Sequence, residues 1–169
     1  MKIGYYPDVV NENITRIVAG AVLCLTLVTI FSVQIWNREV ALFLCGYLAA
    51  GFILRVLWGP KVEPFARIAA YTLQPRLGIS YVPTAGPPKR FAQAIGVLFS
   101  VSAFITLAMN QTLYFEIILA VLAFFAFLES VFAFCAGCFV FALAMKAGLI
   151  PEEVCERCNN LQLKPDTGQ

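Results

Sequence analysis

Histidine is absent from the 169 residues, and its absence excludes several chemistries together. Serine-histidine triads, histidine-ligated haem, zincin-type metal sites and imidazole proton shuttles have no ligand or base to work with. Charge is also scarce. Asp, Glu, Lys and Arg make up 13% of the chain, against roughly 25% in soluble domains, which excludes a water-soluble globule. Charge of one sign is scarcer still. Twelve Lys and Arg face ten Asp and Glu, a net +2, too balanced for a nucleic-acid partner.

What remains is apolar, at 60% of residues. Stretches 17–37, 40–54 and 91–115 carry no charge, and 112–145 carries only Glu116 and Glu129. A bilayer core of about 30 Å takes about 20 helical residues. The sequence therefore predicts an all-α polytopic membrane protein with four transmembrane helices near 15–36, 40–58, 91–109 and 112–134. Trp36 and Trp58 fall at span ends, where an indole buries its ring and wets its N–H. Arg55 is expected to snorkel to the interface. The first apolar run is too long for a signal-peptide core and follows a polar arm, 1–14, so it should stay attached. Asn11 or Asn13 can cap its helix, with Glu12 at the positive dipole end.

Lys2, Arg16, Arg55, Lys61, Arg67, Arg76, Lys89, Arg90, Lys146, Arg157 and Lys164 lie in the arm, the central link and the tail, whereas the two short connections hold only Arg38. Positive charge resists translocation, which predicts both termini and the link, 59–90, in the cytoplasm. Asn110-Gln111-Thr112 has the form of a glycosylation sequon but reads as a helix-helix turn. Six prolines break the link into short pieces. Within 63–76, Phe65, Ile68, Ala69 and Thr72 recur at helical spacing, which suits either a short interfacial helix on the inner leaflet or a connector packed on the span ends.

The six cysteines carry most of the remaining chemical information. Cys135 and Cys138 form one C-x-x-C and Cys155 and Cys158 another, sixteen residues apart. That spacing suits a four-thiolate metal site, zinc in preference to iron. Asn159 favours a knuckle turn, and Gly137 would free the backbone to aim amides at sulfur. The last apolar stretch would run roughly 50 Å as one helix. Cys135 and Cys138 would then emerge at the cytoplasmic surface, inside a helix and without help from a helix N-terminus. Gly148 would stop that helix, and the tail, 149–169, would bring the second pair. A reducing compartment argues against permanent disulfides. Three readings stay open: a structural zinc site, a thiol redox or sulfur-transfer site, and unliganded cysteines.

Cys24 and Cys45 are separated by an axial gap of roughly 10 Å, too far to bond, and are expected to be core thiols. Glu129 is the carboxylate nearest the inner half of the membrane, where an ionisable group is a functional candidate. Hydration, or pairing with Arg90 or Arg67, would satisfy it. Glu116 should be wet, and Gln93, Ser100, Ser102 and Ser130 can act as hydrogen-bonding glue between helices. Phenylalanines surround the last span on every side, which suits lipid on one face and protein on the others.

Three segments resemble a known family. They are 10–16 with Gly20, the Arg90-Phe91-Ala92-Gln93 segment with its neighbours in 88–96, and Phe134-Cys135-Ala136-Gly137-Cys138. They are similar to the bacterial membrane family catalogued as domain of unknown function 4395. The resemblance implies a small four-span protein of the bacterial cytoplasmic (inner) membrane. Some relatives are joined to thioredoxin-like or rhodanese-like domains, which raises thiol or sulfur chemistry; no catalytic role is carried over. The expectation is an accessory or binding protein whose tail is tied by zinc on Cys135, Cys138, Cys155 and Cys158, docking a protein partner or larger membrane complex. The alternative is a thiol-disulfide oxidoreductase or sulfur carrier using the same residues. No haem or nucleotide site is expected. A transporter has only Glu116 and Glu129 to support it.

Overall fold

The computed structural model describes residues 6–59, 62–78 and 80–148. It is mostly helical, and four helices are long and apolar enough to cross a membrane: α1 (Glu12–Ile35), α2 (Arg38–Trp58), α5 (Gly86–Ala108) and α6 (Thr112–Phe132). With 21 to 24 residues each, they measure about 31 to 36 Å at the helical rise. Asn11 starts α1 by accepting the Asn13 amide at 3.1 Å, and Asn37 starts α2 by accepting the Val40 amide at 2.9 Å. Trp36 and Trp58 stand exposed at the ends of these two helices. Asn110, in the left-handed region at φ 60°, makes the turn from α5 to α6.

The four helices form a ring, α1-α2-α5-α6, in which each packs on two antiparallel neighbours. Small residues set the approach. Gly96 of α5 meets the Phe52 ring of α2 so closely that a β-carbon would overlap it. Cys45, Leu48 and Phe52 of α2, Ala103 and Leu107 of α5, and Phe115 and Leu119 of α6 fill the centre. Buried hydroxyls bond their own helix rather than a neighbour: Thr26 to Val22 O and Thr29 to Leu25 O, both at 2.7 Å, and Ser100 to Gly96 O at 2.8 Å. The interhelical role expected of Ser100 passes to its carbonyl, which accepts the buried Cys45 thiol at 3.5 Å.

Three arginines each reach across to the exposed carbonyls that end a neighbouring helix. Arg16 donates to Ser130 O and Val131 O of α6 at 3.3 and 3.1 Å. Arg38 donates to Leu107 O and Ala108 O of α5 at 3.1 and 2.7 Å, and Arg90 to Val56 O of α2 at 3.0 Å. The last four carbonyls of a helix lack intrahelical donors, and the helix dipole makes that end attractive to a cation. Each charged bond of this kind contributes about 1.5 to 3 kcal/mol.

The central link contains α3 (Pro64–Ile68), a wide π turn (Ala69–Leu73) and α4 (Gln74–Leu77). Glu63, 1% exposed, caps α3 by accepting the Ala66 amide at 2.7 Å, and Ala66 and Ala69 face inward. A two-stranded antiparallel ribbon adds β structure to the expected all-α architecture. β1 (Val9–Asn11) pairs with β2 (Pro83–Ala85), Val10 opposite Thr84. The Gly86 amide extends it to Asp8 O at 2.8 Å, and a β-carbon on Gly86 would strike the Pro7 carbonyl.

Three expectations are corrected. Helix α5 begins five residues before 91, because Pro87 and Pro88 lie in its first turn, where a missing N–H costs nothing. Arg55 does not snorkel. It is 4% exposed, donates to Gly51 O at 3.2 Å and lies 4.3 Å over the Phe52 ring. The last apolar stretch is not one helix: α6 stops at Phe132, Ala133 turns left-handed at φ 56°, and α7 (Ala136–Lys146) starts afresh. As expected, Gly148, at φ 73°, follows the end of α7.

Gly96→Ala should destabilise the bundle by about 1 to 3 kcal/mol through overpacking. Gly46→Ala, whose β-carbon would meet Phe104 at an ordinary 3.6 Å, should leave it unchanged or slightly firmer. Thermal unfolding of both variants in detergent, followed by circular dichroism, checks the contrast.

Candidate functional site

The break after α6 creates the site. Ala133 and Phe134 donate their amides back to Leu128 O, and the turn delivers Cys135 to the N-cap of α7. Its sulfur accepts the Cys138 amide at 3.4 Å, while its carbonyl accepts the Phe139 amide at 3.0 Å. The sequence expectation placed Cys135 inside a helix. In fact its thiol caps a helix N-terminus, where unpaired amides and the dipole favour negative charge. No Gly or Pro announces the break; excess length was the one available sign, and it fitted emergence equally well.

Helix α7 folds back along α5. Phe141 meets Phe91 at 5.7 Å between ring centroids, and Gly137 lies against Ala92 with no room for a β-carbon. Gly137 has no positive φ, so it serves close approach rather than the torsional freedom expected of it.

Two effects separate the thiols. Cys135 is held below the ordinary thiol range, chiefly by the hydrogen bond from the Cys138 thiol, against burial and the Glu129 charge, with the Lys89 charge and the Cys138 amide also favouring its thiolate. Cys138 is pushed up, first by being the donor in that bond and then by burial. The two thiols thus differ in ionisation, Cys135 favouring the thiolate and Cys138 the protonated thiol.

Beside it, Lys89 Nζ bridges Glu129 Oε1 at 2.9 Å and Glu12 Oε1 at 3.1 Å, with the Lys89 side chain 3% exposed. Glu129 is therefore satisfied by Lys89, not by Arg90 or Arg67. The lysine escaped the sequence reading because the prolines before it placed it in the link rather than in a helix. Glu116 accepts a long bond from Gln34 at 3.4 Å.

A cavity of about 280 Å³ opens next to the pair. Val18 and Val22 of α1, Phe52 of α2, Phe99 of α5, Phe125 of α6 and Val140 of α7 give it apolar walls, and Tyr6, Thr15, Arg55, Gln93, Glu129 and Cys135 are the polar members. The Tyr6 phenol is raised to about 12, mainly by burial, against the nearby Lys89 and Arg55 charges. Gln93 Oε1 is buried without a hydrogen-bond partner.

Cys24, Cys45, Cys135 and Cys138 are free thiols. Cys24 is exposed on the bundle's outer face rather than in the core, whereas Cys45 is a core thiol. Cys155, Cys158 and Asn159 lie outside the described residues. Among the described residues, no three His, Cys, Asp or Glu side chains converge as metal ligands.

Four long apolar helices with a short fifth folded back on them define a small polytopic helical protein of the membrane class. The family described as Domain of unknown function (DUF4395) matches residues 10–146, and the chain belongs to it. No curated protein and no solved structure matches.

The lowered Cys135 ionisation has a testable sign. Thiolate reactivity is present above a thiol's pKa and is lost as pH falls through it, so a depressed pKa extends reactivity to lower pH. Iodoacetamide should label Cys135 with a midpoint below the ordinary value of about 8.5, while Cys138 stays unlabelled over the same range. Peptide mass mapping across pH 5 to about 9 reads both.

Proposed function

We propose that this is a membrane thiol-disulfide oxidoreductase whose redox centre is the Cys135/Cys138 pair. The observation that carries the reading is the capped C-x-x-C: the first sulfur accepts the second cysteine's amide at the start of α7. In the reducing direction, the Cys135 thiolate attacks a disulfide on a partner, forming a mixed disulfide and releasing one partner thiolate. Cys138 then gives up its proton to a partner sulfur and attacks Cys135 Sγ. The mixed disulfide breaks, the Cys135–Cys138 disulfide forms, and the partner leaves as a dithiol, its second proton coming from solution in place of the one Cys135 had given up. Two electrons pass from the pair to the partner. For sulfur transfer, the Cys135 thiolate would attack the outer sulfur of a donor persulfide, taking that sulfur and releasing the donor's thiol.

Orientation follows from charge. Arg16, Arg55, Lys89 and Arg90 stand at the end of the ring that holds the pair, and Arg38 at the other. By the positive-inside rule the pair and both termini would face the cytoplasm, and the bacterial inner membrane is what the family resemblance implies. Segment 64–77 then lies on the inner leaflet, Ala66 and Ala69 inward, with Ile68 and Tyr71 exposed. This face is where a protein partner or a larger membrane complex would dock.

Purified protein incubated with glutathione buffers should show Cys135 and Cys138 oxidising together as a two-electron couple. Cys138→Ser should accumulate a mixed disulfide on Cys135, and Cys135→Ser none on Cys138. Inertness of both thiols to glutathione disulfide would overturn the reading.

A second reading keeps the sixteen-residue spacing of Cys135/Cys138 and Cys155/Cys158 in view. These four thiolates would bind structural zinc and tether the tail for docking. It requires about one zinc per chain by metal analysis, lost on Cys155→Ser.

A further inference from the structure

We propose that the cavity beside the dithiol is the site of a membrane-soluble quinone, the two-electron acceptor that reoxidises Cys135 and Cys138. The inference rests on the oxidoreductase reading and names its lipid-side substrate.

Run in the oxidising direction, the reverse of the exchange above, the Cys135–Cys138 disulfide takes two electrons from a partner dithiol and returns as a dithiol, which must pass them to an acceptor. The cavity offers a place for that step within the helical ring. Its 280 Å³ falls just under the usual range for small-molecule sites, about 300 to 1,000 Å³, which suits one ring system better than a large cofactor. Phe52, Phe99 and Phe125 provide flat apolar walls, suited to a planar ring. A saturated acyl chain would leave the polar members unmet. A peptide disulfide would bring backbone amides against walls that cannot pair them.

The polar members match a quinone's two carbonyls. Arg55, held by Gly51 O and the Phe52 ring, is a fixed cation where negative charge develops on a ring oxygen. Gln93 has a buried amide oxygen with no partner, and an amide offers both a donor and an acceptor, for the quinone carbonyl and for the quinol hydroxyl. Cys135 belongs to the same wall, so the nucleophile and the acceptor share one chamber.

The Cys135 thiolate adds to a ring carbon, forming a C–S bond. Cys138 then attacks Cys135 Sγ; the S–S bond forms, the C–S bond breaks, and its electron pair enters the ring. One proton comes from the Cys138 thiol and one from solution, replacing that given up by Cys135. The sum is a dithiol and a quinone going to a disulfide and a quinol.

The test uses full-length protein in liposomes, reduced, freed of reductant and kept anaerobic, with ubiquinone-1 as probe. One ubiquinol should form per dithiol lost, and none with Cys135→Ser. Gln93→Leu should raise the KM for ubiquinone-1 about tenfold, the loss of one hydrogen bond. Since that variant could misfold, an azido-ubiquinone photolabel on the native protein gives a second reading. It should mark the peptide bearing Gln93 and Phe99, and excess ubiquinone-1 should protect it. Exchange with glutathione disulfide but no quinol formation overturns the quinone site and leaves the oxidoreductase standing. Failure of both reactions overturns both. Quinol formation with a native KM in a folded Gln93→Leu protein, or labelling confined to the outer faces of the ring, overturns the assignment to this cavity.

Discussion

A single ammonium group, Lys89 Nζ, lies between the carboxylates of Glu12 and Glu129 and joins three helices at one end of the ring. An unpaired ion so deeply buried would be costly to keep out of water, and two close carboxylates offset that cost. The constraint propagates in both directions. Through Glu12 it fixes the first turn of α1, and through Glu129 it fixes the last turns of α6. The departure of the chain towards Cys135 is therefore set by ion pairing as well as by backbone turns. Its positive charge also favours the Cys135 thiolate, so an element of the framework contributes to the electrostatics of the sulfur pair.

The arginines complete this end of the ring in another way. Arg16 and Arg90 occupy carbonyls that α6 and α2 leave open, and Arg38 does the same for α5 at the opposite end. In a bilayer, open carbonyls near the hydrocarbon would each need a donor. Three of the chain's twelve basic residues are thus spent on helix ends, and a fourth, Lys89, on two carboxylates.

Much of the architecture was legible because hydrocarbon thickness dictates segment length. The uncharged runs located all four long helices to within a few residues, and Asn11, Trp36, Trp58 and Gly148 marked ends that the structure places where expected. The misses have two causes, local backbone geometry that residue type does not announce and contacts between segments distant in sequence. Pro87 and Pro88 looked like helix breakers and hid Lys89 in a connector, although prolines in a first turn leave a helix intact. Ala133 adopts a left-handed conformation that alanine does not advertise. Arg55 turns inward because Gly51 O, the Phe52 ring and the nearby Glu63 charge receive it. The cysteine motif itself was visible at once. Its position at a helix start was not, since that follows from how α7 returns along α5, where Gly137 lies against Ala92.

The small ribbon of Val9–Asn11 with Pro83–Ala85 has a bearing on biosynthesis. Its strands lie more than seventy positions apart in the chain, so a nascent polypeptide exposes the first long before the second leaves the ribosome. Both early hydrophobic segments must enter the bilayer while the leading residues still lack their pairing partner. The anchor can close only once Pro83–Ala85 have emerged, after both early segments, and so acts as a late latch.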